Sequence, residues 1–279
     1  MPDVVQRYLE EVCVLKVRIK FSKTGSMKFI GHLDVMRYFQ KAIRRSGIDV
    51  AYSQGFNPHQ LISFASPLGV GLTSDGEYMD MQLNSSFSSK EAMDRLNEVM
   101  NEEIQIVNYV ELDDGSKNAM SIVAAADYCI SIKDGYDFPE NYREMFEKFI
   151  EQPEIIVLKK TKKSEKTMDI RPYIYHVAYM PEEFVKKTGG ILKNTVAEQY
   201  ENNRRIFMQI TNGSVINIKP EVIIEAFCKF AGIEFQPFAY QIHRMEVYAD
   251  INADNKVDEK DYGKNRKLIP LDAFGHEIL

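Results

Sequence analysis

From residue 14 the chain alternates strictly: Leu15, Val17, Ile19 and Phe21 are apolar, while Lys16, Arg18 and Lys20 between them are basic. A period of two marks a strand with one buried face, so 14–21 is predicted as a strand whose outer face is basic. From Gly31 to Ser46 the period changes. Leu33, Met36, Phe39 and Ile43 recur at helical spacing and Gly47 stands at a C-terminal cap, which predicts a helix of about four turns. Strand-like runs follow at 48–52, 60–65 and 77–83, the last alternating Met79, Met81 and Leu83 against Tyr78, Asp80 and Gln82. Ser88 to Glu91 has the form of a capping box opening a helix to about Met100, and 104–112 reads as a strand. The order βαββαβ is the ferredoxin-like plan.

Asp113 to Asn118 is polar and contains Gly115, so 113–120 is predicted as a linker between a first unit at 14–112 and a second at 121–249. The second unit uses the same kinds of element. Strands are predicted at 122–132, 155–158, 170–179, 205–211 and 242–248; one helix opens at Pro139 and carries Tyr142, Met145, Phe149 and Ile150, and another spans 220–230. The expected fold class is therefore α+β, with two ferredoxin-like halves and antiparallel sheets. Residues 1–13 are an N-terminal extension, and 250–279 is expected to form an acidic tail hairpin.

With 44% apolar and 27% charged residues, the 279-residue chain is neither disordered nor collagenous. Cys13, Cys129 and Cys228 form no CxxC, so neither a disulfide framework nor a zinc or iron–sulfur ligand set is predicted, and no cofactor is expected. No apolar run approaches the roughly 18 residues of a membrane span, which predicts a cytoplasmic protein with no membrane association.

Charge changes the picture more. The net charge of −6 conceals a basic stretch from Val14 to Leu68 with nine Lys and Arg residues against Asp34 and Asp49. A second, from Leu158 to His176, has six against Glu165 and Asp169. Local cationic patches in an acidic chain suggest an anionic ligand held at defined places. Ser22, Lys23 and Lys28 belong to a loop delivered onto the N-terminus of the first helix at His32, where free N–H groups and the dipole favour an anion. At ~100° per residue, Asp34, Arg37, Lys41, Arg44 and Arg45 share one arc of that helix, giving either a solvated face or a phosphate-binding one.

In Tyr52-Ser53-Gln54-Gly55-Phe56-Asn57-Pro58-His59-Gln60, glycine, asparagine and proline predict a tight turn. Such a turn either buries Phe56 or presents Phe56 and His59 to stack on and hydrogen-bond an unpaired base. In the second unit, Asp169 and Arg171 adjoin the lysine run, as part of a solvated hairpin tip or of a phosphate clamp. The glycines of Leu68 to Gly76 lack the lysine of a P-loop and the third glycine of a dinucleotide fingerprint, so a strand connection is expected there. Asp250, Asn252, Asp254, Asp258 and Asp261 have calcium-loop spacing, but Asn255 stands where that loop needs glycine, and an acidic hairpin is preferred.

The runs Phe21-Ser-Lys-Thr-Gly25, Gly31-His-Leu-Asp34, Ala42-Ile-Arg-Arg45, Ala51-Tyr-Ser-Gln-Gly-Phe-Asn-Pro-His59, Pro67-Leu-Gly69 and Glu77-Tyr-Met-Asp80 occur in order. With Asp169-Ile-Arg-Pro172 and His243-Arg244 in the second unit, the chain resembles the radical-SAM-linked protein family, a domain of unknown function. The resemblance implies a radical SAM protein as partner and a setting near RNA processing. With no CxxxCxxC, this chain looks like the stand-alone accessory member. It also implies a site at Ser22, Lys23, His32, Asp34, Arg37, Tyr52 to His59, Asp169 and Arg171. The expected function is a non-catalytic accessory that binds structured, tRNA-like RNA through the basic helix and the aromatic loop. Two alternatives stand beside it: a metal-independent endoribonuclease using His32 and His59, and a subunit that docks an acidic protein partner.

Overall fold

The alternation read at the start of the chain becomes β1 (Leu15–Lys23) of a computed structural model that describes residues 14–160, 165–189, 200–252, 263 and 265–279. After β1 come α1 (His32–Ser46), β2 (Ile62–Phe64), β3 (Thr73–Leu83), α2 (Ser89–Val99) and β4 (Ile106–Leu112). The short α3 (Ala119–Ile122) leads into β5 (Val123–Ile132), α4 (Tyr142–Ile150), β6 (Ile156–Lys160), β7 (Glu165–Asp169), β8 (Ile174–Ala178), α5 (Pro181–Thr188), β9 (Arg205–Thr211), α6 (Pro220–Ala231) and β10 (Tyr240–Asp250). The chain closes with β11 (Leu268–Pro270) and β12 (Gly275–His276).

The architecture is mixed α+β around a largely antiparallel sheet. Two separate sheets were the expectation; ten strands instead form one, in the order β12-β4-β1-β3-β10-β5-β9-β8, with β2 beside β3 and β11 beside β10. The reason lies in the unequal lengths of β2 and β3. The three residues of β2 pair only with Met79–Met81, leaving the start of β3 open. There Thr73 and Ser74 pair with His243 and Arg244 of β10, the one parallel contact among the described residues. Gly76 permits the close approach, since a Cβ there would lie 2.7 Å from Glu246 Cα.

Two apolar clusters fill the space between sheet and helices. One joins Ile19, Phe21, Met79 and Met81 to Val35, Phe39 and Ile43 of α1 and to Ala92 and Leu96 of α2. The other joins Tyr128, Ile130, Met208 and Ile210 to Phe146 and Phe149 of α4 and to Ile223 and Phe227 of α6. Hairpin β6–β7 is a separate two-stranded sheet. Residues 268–276, expected within an acidic tail hairpin, instead cross from β10 to β4 as a strap: β11 pairs with Tyr248–Asp250, a turn follows at Leu271–Phe274, and β12 pairs with Glu111 and Leu112.

Other differences are local. Residues 48–52 contribute only the isolated bridges Val50↔Leu83 and Tyr52↔Gln60, the helix expected from Pro139 begins at Tyr142, and a turn at Arg171–Tyr173 precedes β8. The predicted linker is tied down, because Lys117 O accepts from Arg18 and Ala119 N–H donates to Asp80. The extension 1–13 and most of the calcium-like spacing, 253–262, lie outside the described residues. Asp250 itself accepts the N–H groups of Asn252 and Lys267 and pairs with Arg266 at 2.9 Å, closing the β10–β11 connection.

Candidate functional site

Most of the basic face of β1 is buried, with only Lys16 half-exposed. Arg18 is 0% exposed: its guanidinium grips Asp80 at 2.7 and 3.0 Å and donates to Leu271 O of the strap and to Lys117 O. Lys20 is buried in an ion pair with Glu246. The Tyr78 hydroxyl sits 2.7 Å from Glu246 Oε1 and 2.9 Å from Asp272 Oδ1. Burial, partly offset by Lys20, raises the Glu246 carboxyl above its ordinary range. Charges buried and paired in this way hold the strap to the sheet and are closed to a ligand.

The loop before α1 also already has its anion, and the anion is Glu103. Its carboxylate accepts the N–H groups of Ser26 and Met27 at 3.0 and 3.1 Å and the Ser26 hydroxyl at 2.6 Å, which lowers its pKa. Gly25, at φ +53°, leaves room for it, since a Cβ there would fall 2.0 Å from Glu103 Oε1. Within the loop expected to cradle phosphate, the N–H groups of Ser26 and Met27 are thus already engaged by the chain itself, while the N-terminus of α1 at Gly31 carries no side-chain cap. Lys23 is 2% exposed, with Nζ on Ile30 O and its pKa lowered by burial. Ser22 donates its N–H to Gln105 O, and Lys28 reaches Gln241 Oε1 at 3.2 Å.

Asp169 and Arg171 are engaged with the backbone around them. Asp169 Oδ1 accepts the N–H groups of Ile155 and Arg171, and Arg171 donates to Ile150 O and Ile174 O, so the pair fastens the base of β6–β7 to the end of α4.

What remains outside is the polar arc of α1 and the turn beside it. Asp34, Arg37, Lys41, Arg44 and Arg45 are all exposed. Arg37 pairs loosely with Asp34 at 3.3 Å, and Arg45 donates to Val99 O. Ser53 and His59 close the turn: Ser53 N–H donates to His59 O at 2.9 Å, His59 N–H donates to Ser53 Oγ at 3.1 Å, and Oγ lies 2.8 Å from His59 Nδ1. Gln54, Gly55 (φ +111°), Phe56, Asn57 and Pro58 project beyond this clasp, and Phe56 is 112% exposed. The turn rests on α1, because Gln60 Nε2 donates to Gln40 O and to the Tyr52 hydroxyl. Beside it lies a cavity of about 280 Å³ whose polar lining includes Lys16, His59, Gln60, Ser63, Gln82 and Asn118.

His32 and His59 are not brought together. His32 packs edge-on against Phe64 at 5.2 Å, whereas the turn carrying His59 meets the helix at Gln40, eight residues or ~12 Å further along its axis.

Sequence reasoning missed Leu33. Assigned to the apolar stripe, it is 61% exposed and stands ~20° around the helix from Arg44 and ~40° from Arg37. The buried stripe is Val35, Phe39, Ala42 and Ile43. Tyr52 and Phe29 add two more exposed aromatic rings on the same stretch of chain. Leu33's angular distance from Phe39 and Ala42 is the signal that would have found it.

A family model described as an uncharacterized protein conserved in bacteria matches residues 16–220. No curated protein matches the chain. Among solved structures, a chain from the crystal structure of a Cbf5-Nop10-Gar1 complex is similar at 10% identity and TM-score 0.39, over 83% of this chain; the match spans 48% of that chain's length. Among the described residues, no helix is long and apolar enough to cross a membrane.

Proposed function

This chain belongs to the uncharacterized bacterial family DUF2344, and we propose that it binds structured RNA through the cationic arc of α1 and the Phe56 turn. One observation carries the reading: an aromatic ring wholly in solvent on a turn clamped by Ser53 and His59, seated against a helix whose outward face holds Arg37, Lys41 and Arg44. Cations on a regular helix face meet phosphates, and a ring held out on a clasped turn stacks on an unpaired base. The cavity beside His59 is of a size to receive such a base, with the amides of Gln82 and Asn118 at its edge.

The strand orders β4-β1-β3-β2 and β10-β5-β9-β8 support reading the two parts as ferredoxin-like units, the first built from consecutive β-α-β-β-α-β elements and the second with hairpin β6–β7 and helix α5 inserted in that plan. The sequence resemblance to radical-SAM-linked proteins supports a role as the accessory that presents the RNA to such an enzyme. The test is retention of total small RNA across a salt series by the wild type and by Arg37→Ala/Arg44→Ala. Selective, salt-sensitive retention lost in the variant supports the reading, and equal retention by both proteins removes it.

A further inference from the structure

The cavity beside His59 is built on the sheet face turned away from α1 and α2. Val17, Ile19, Met79 and Met81 pack toward those helices, so Lys16, Arg18, Asp80 and Gln82, which alternate with them, face the other way. Strand pairing sets these residues abreast. Lys16 stands opposite Gln82 and Arg18 opposite Asp80. Gln82 N–H donates to Leu61 O on the far side, and the pairing of Val17 with Glu111 places Leu112 next to Lys16. Lys16 and Gln82 therefore lie side by side between two leucines, with Cβ atoms about 5 Å apart, and all four residues line the cavity of about 280 Å³.

Most polar groups of the cavity are already matched. Asp80 takes the Arg18 guanidinium and the Ala119 N–H. Asn118 Nδ2 donates to Ser63 Oγ at 2.8 Å, Asn118 Oδ1 accepts from Met120 N–H, and His59 Nδ1 is held at Ser53 Oγ. Two groups differ: among the described residues, the half-buried Lys16 ammonium and Gln82 amide have no hydrogen-bond or ion-pair partner. Neighbouring polar groups left open in a concavity are where a ligand's own donors and acceptors fit.

Their chemistry selects the ligand. Lys16 can only donate, whereas Gln82 offers a donor beside an acceptor, in either order, because its amide can turn over. The complement is an edge of three points: an acceptor for Lys16, then a donor and an acceptor for Gln82. Uracil presents O2, N3–H and O4, and cytosine presents O2, N3 and the N4 amino group, so both fit by a flip of the amide. Adenine has no carbonyl and turns a C–H toward the cation. Guanine follows its one carbonyl with two donors, which the amide cannot both accept. Building on the RNA-binding reading, we infer that the cavity is a pyrimidine pocket: it takes an unpaired uracil or cytosine, with Lys16 on O2 and Gln82 on N3 and the C4 substituent. His59 joins the pocket to the rest of the RNA face, because it lines the cavity and closes the clasp from which Phe56 projects.

The test measures fluorescence anisotropy of labelled eight-nucleotide RNAs with the full chain: oligouridine, oligocytidine, oligoadenosine and alternating guanosine–adenosine. Both pyrimidine strands are expected to bind about tenfold or more tighter than both purine strands, the discrimination that one good set of edge contacts supplies. Gln82→Leu and Lys16→Met, with thermal midpoints checked against the wild type, should each bring the four strands to within about threefold of one another. A pyrimidine preference that survives both substitutions would overturn the proposal. Uridine monophosphate alone should bind far more weakly than oligouridine, because it lacks the phosphate contacts along α1; equal affinity would assign the pocket to a free nucleotide and overturn the placement of an RNA base there. Equal binding of all four strands, or a purine preference, that is still lost in Arg37→Ala/Arg44→Ala would remove the pyrimidine pocket and leave the RNA-binding reading standing. Binding of no strand would remove both.

Discussion

Glu77 of β3 and Arg244 of β10 face each other across the parallel seam that fuses the two parts of the sheet. Arg244 Nε donates to Glu77 Oε1 at 2.8 Å and Nη2 to Oε2, while Nη2 also holds Ser66 O at 2.6 Å. Both side chains are buried, and Lys23 adds a third charge from the end of β1. Two backbone pairings make a short seam, and this ion pair reinforces it together with His243, whose ring nitrogens lie 2.9 Å from Thr73 Oγ1 and from Asp75 Oδ2.

Removing one partner should therefore cost far more than removing both. Glu77→Ala leaves a buried guanidinium unpaired and is expected to lower unfolding free energy by ~3–5 kcal/mol, whereas Glu77→Leu with Arg244→Met is expected to cost less than the sum of the single changes. Urea denaturation of the single and double variants measures both.

Phe56 touches nothing that supports the fold, so Phe56→Ala is expected to leave the melting temperature within about 1 °C. Loss of base stacking should cost ~1–3 kcal/mol in RNA affinity with little change in its salt slope. Arg37→Ala/Arg44→Ala should do the reverse, flattening the slope by roughly two phosphate contacts. Filter binding at four or five salt concentrations separates the two.

Asp127 gives stability a pH dependence. Burial pushes its carboxyl up to about 7 against the hydrogen bonds of Tyr248 and Gln209. Below pH 4 the group is protonated folded and unfolded and contributes no slope. Between about pH 4 and 7 the unfolded chain loses the proton while the folded chain keeps it, so stability falls as pH rises through this window and levels off above it. Asp127→Asn keeps an acceptor for Tyr248 and is expected to flatten that descent and to be the more stable protein at pH 8. Urea midpoints at pH 4.5, 6 and 8 decide it.

Gly275 lets β12 lie against β4, for a Cβ there would sit 2.4 Å from Glu111 O and 2.7 Å from Val110 Cγ2. Gly275→Val is expected to cost ~1–3 kcal/mol by overpacking. It should also free the bonds by which Ser89 N–H donates to Ile278 O and Ile278 N–H to Ser89 Oγ. Faster proteolysis after residue 270, with the rest of the chain resistant, is the diagnostic outcome.

The alternation of β1 and the helical period of α1 were legible because both are local. Which face of β1 meets water was not, because Glu246 and Leu271, which bury Lys20 and Arg18, lie more than 220 residues away in sequence. Asp169 and Arg171 look like a ligand pair in a basic run, yet their partners are backbone groups that no side-chain pattern reveals. The Phe56 turn was readable from Gly55, Asn57 and Pro58, but the clasp between Ser53 and His59 that holds the ring outward needed the geometry.

The strap also sets an order of events during synthesis. Arg18 emerges from the ribosome among the first residues of the sheet, but one of its hydrogen-bond acceptors, Leu271 O, is made 253 residues later. Until Leu271 is made, the underside of β1 lacks the strap that covers it. At ~5–20 residues per second that interval lasts on the order of 10 to 50 seconds, so a side chain laid down at the start of the sheet waits that long for one of its partners.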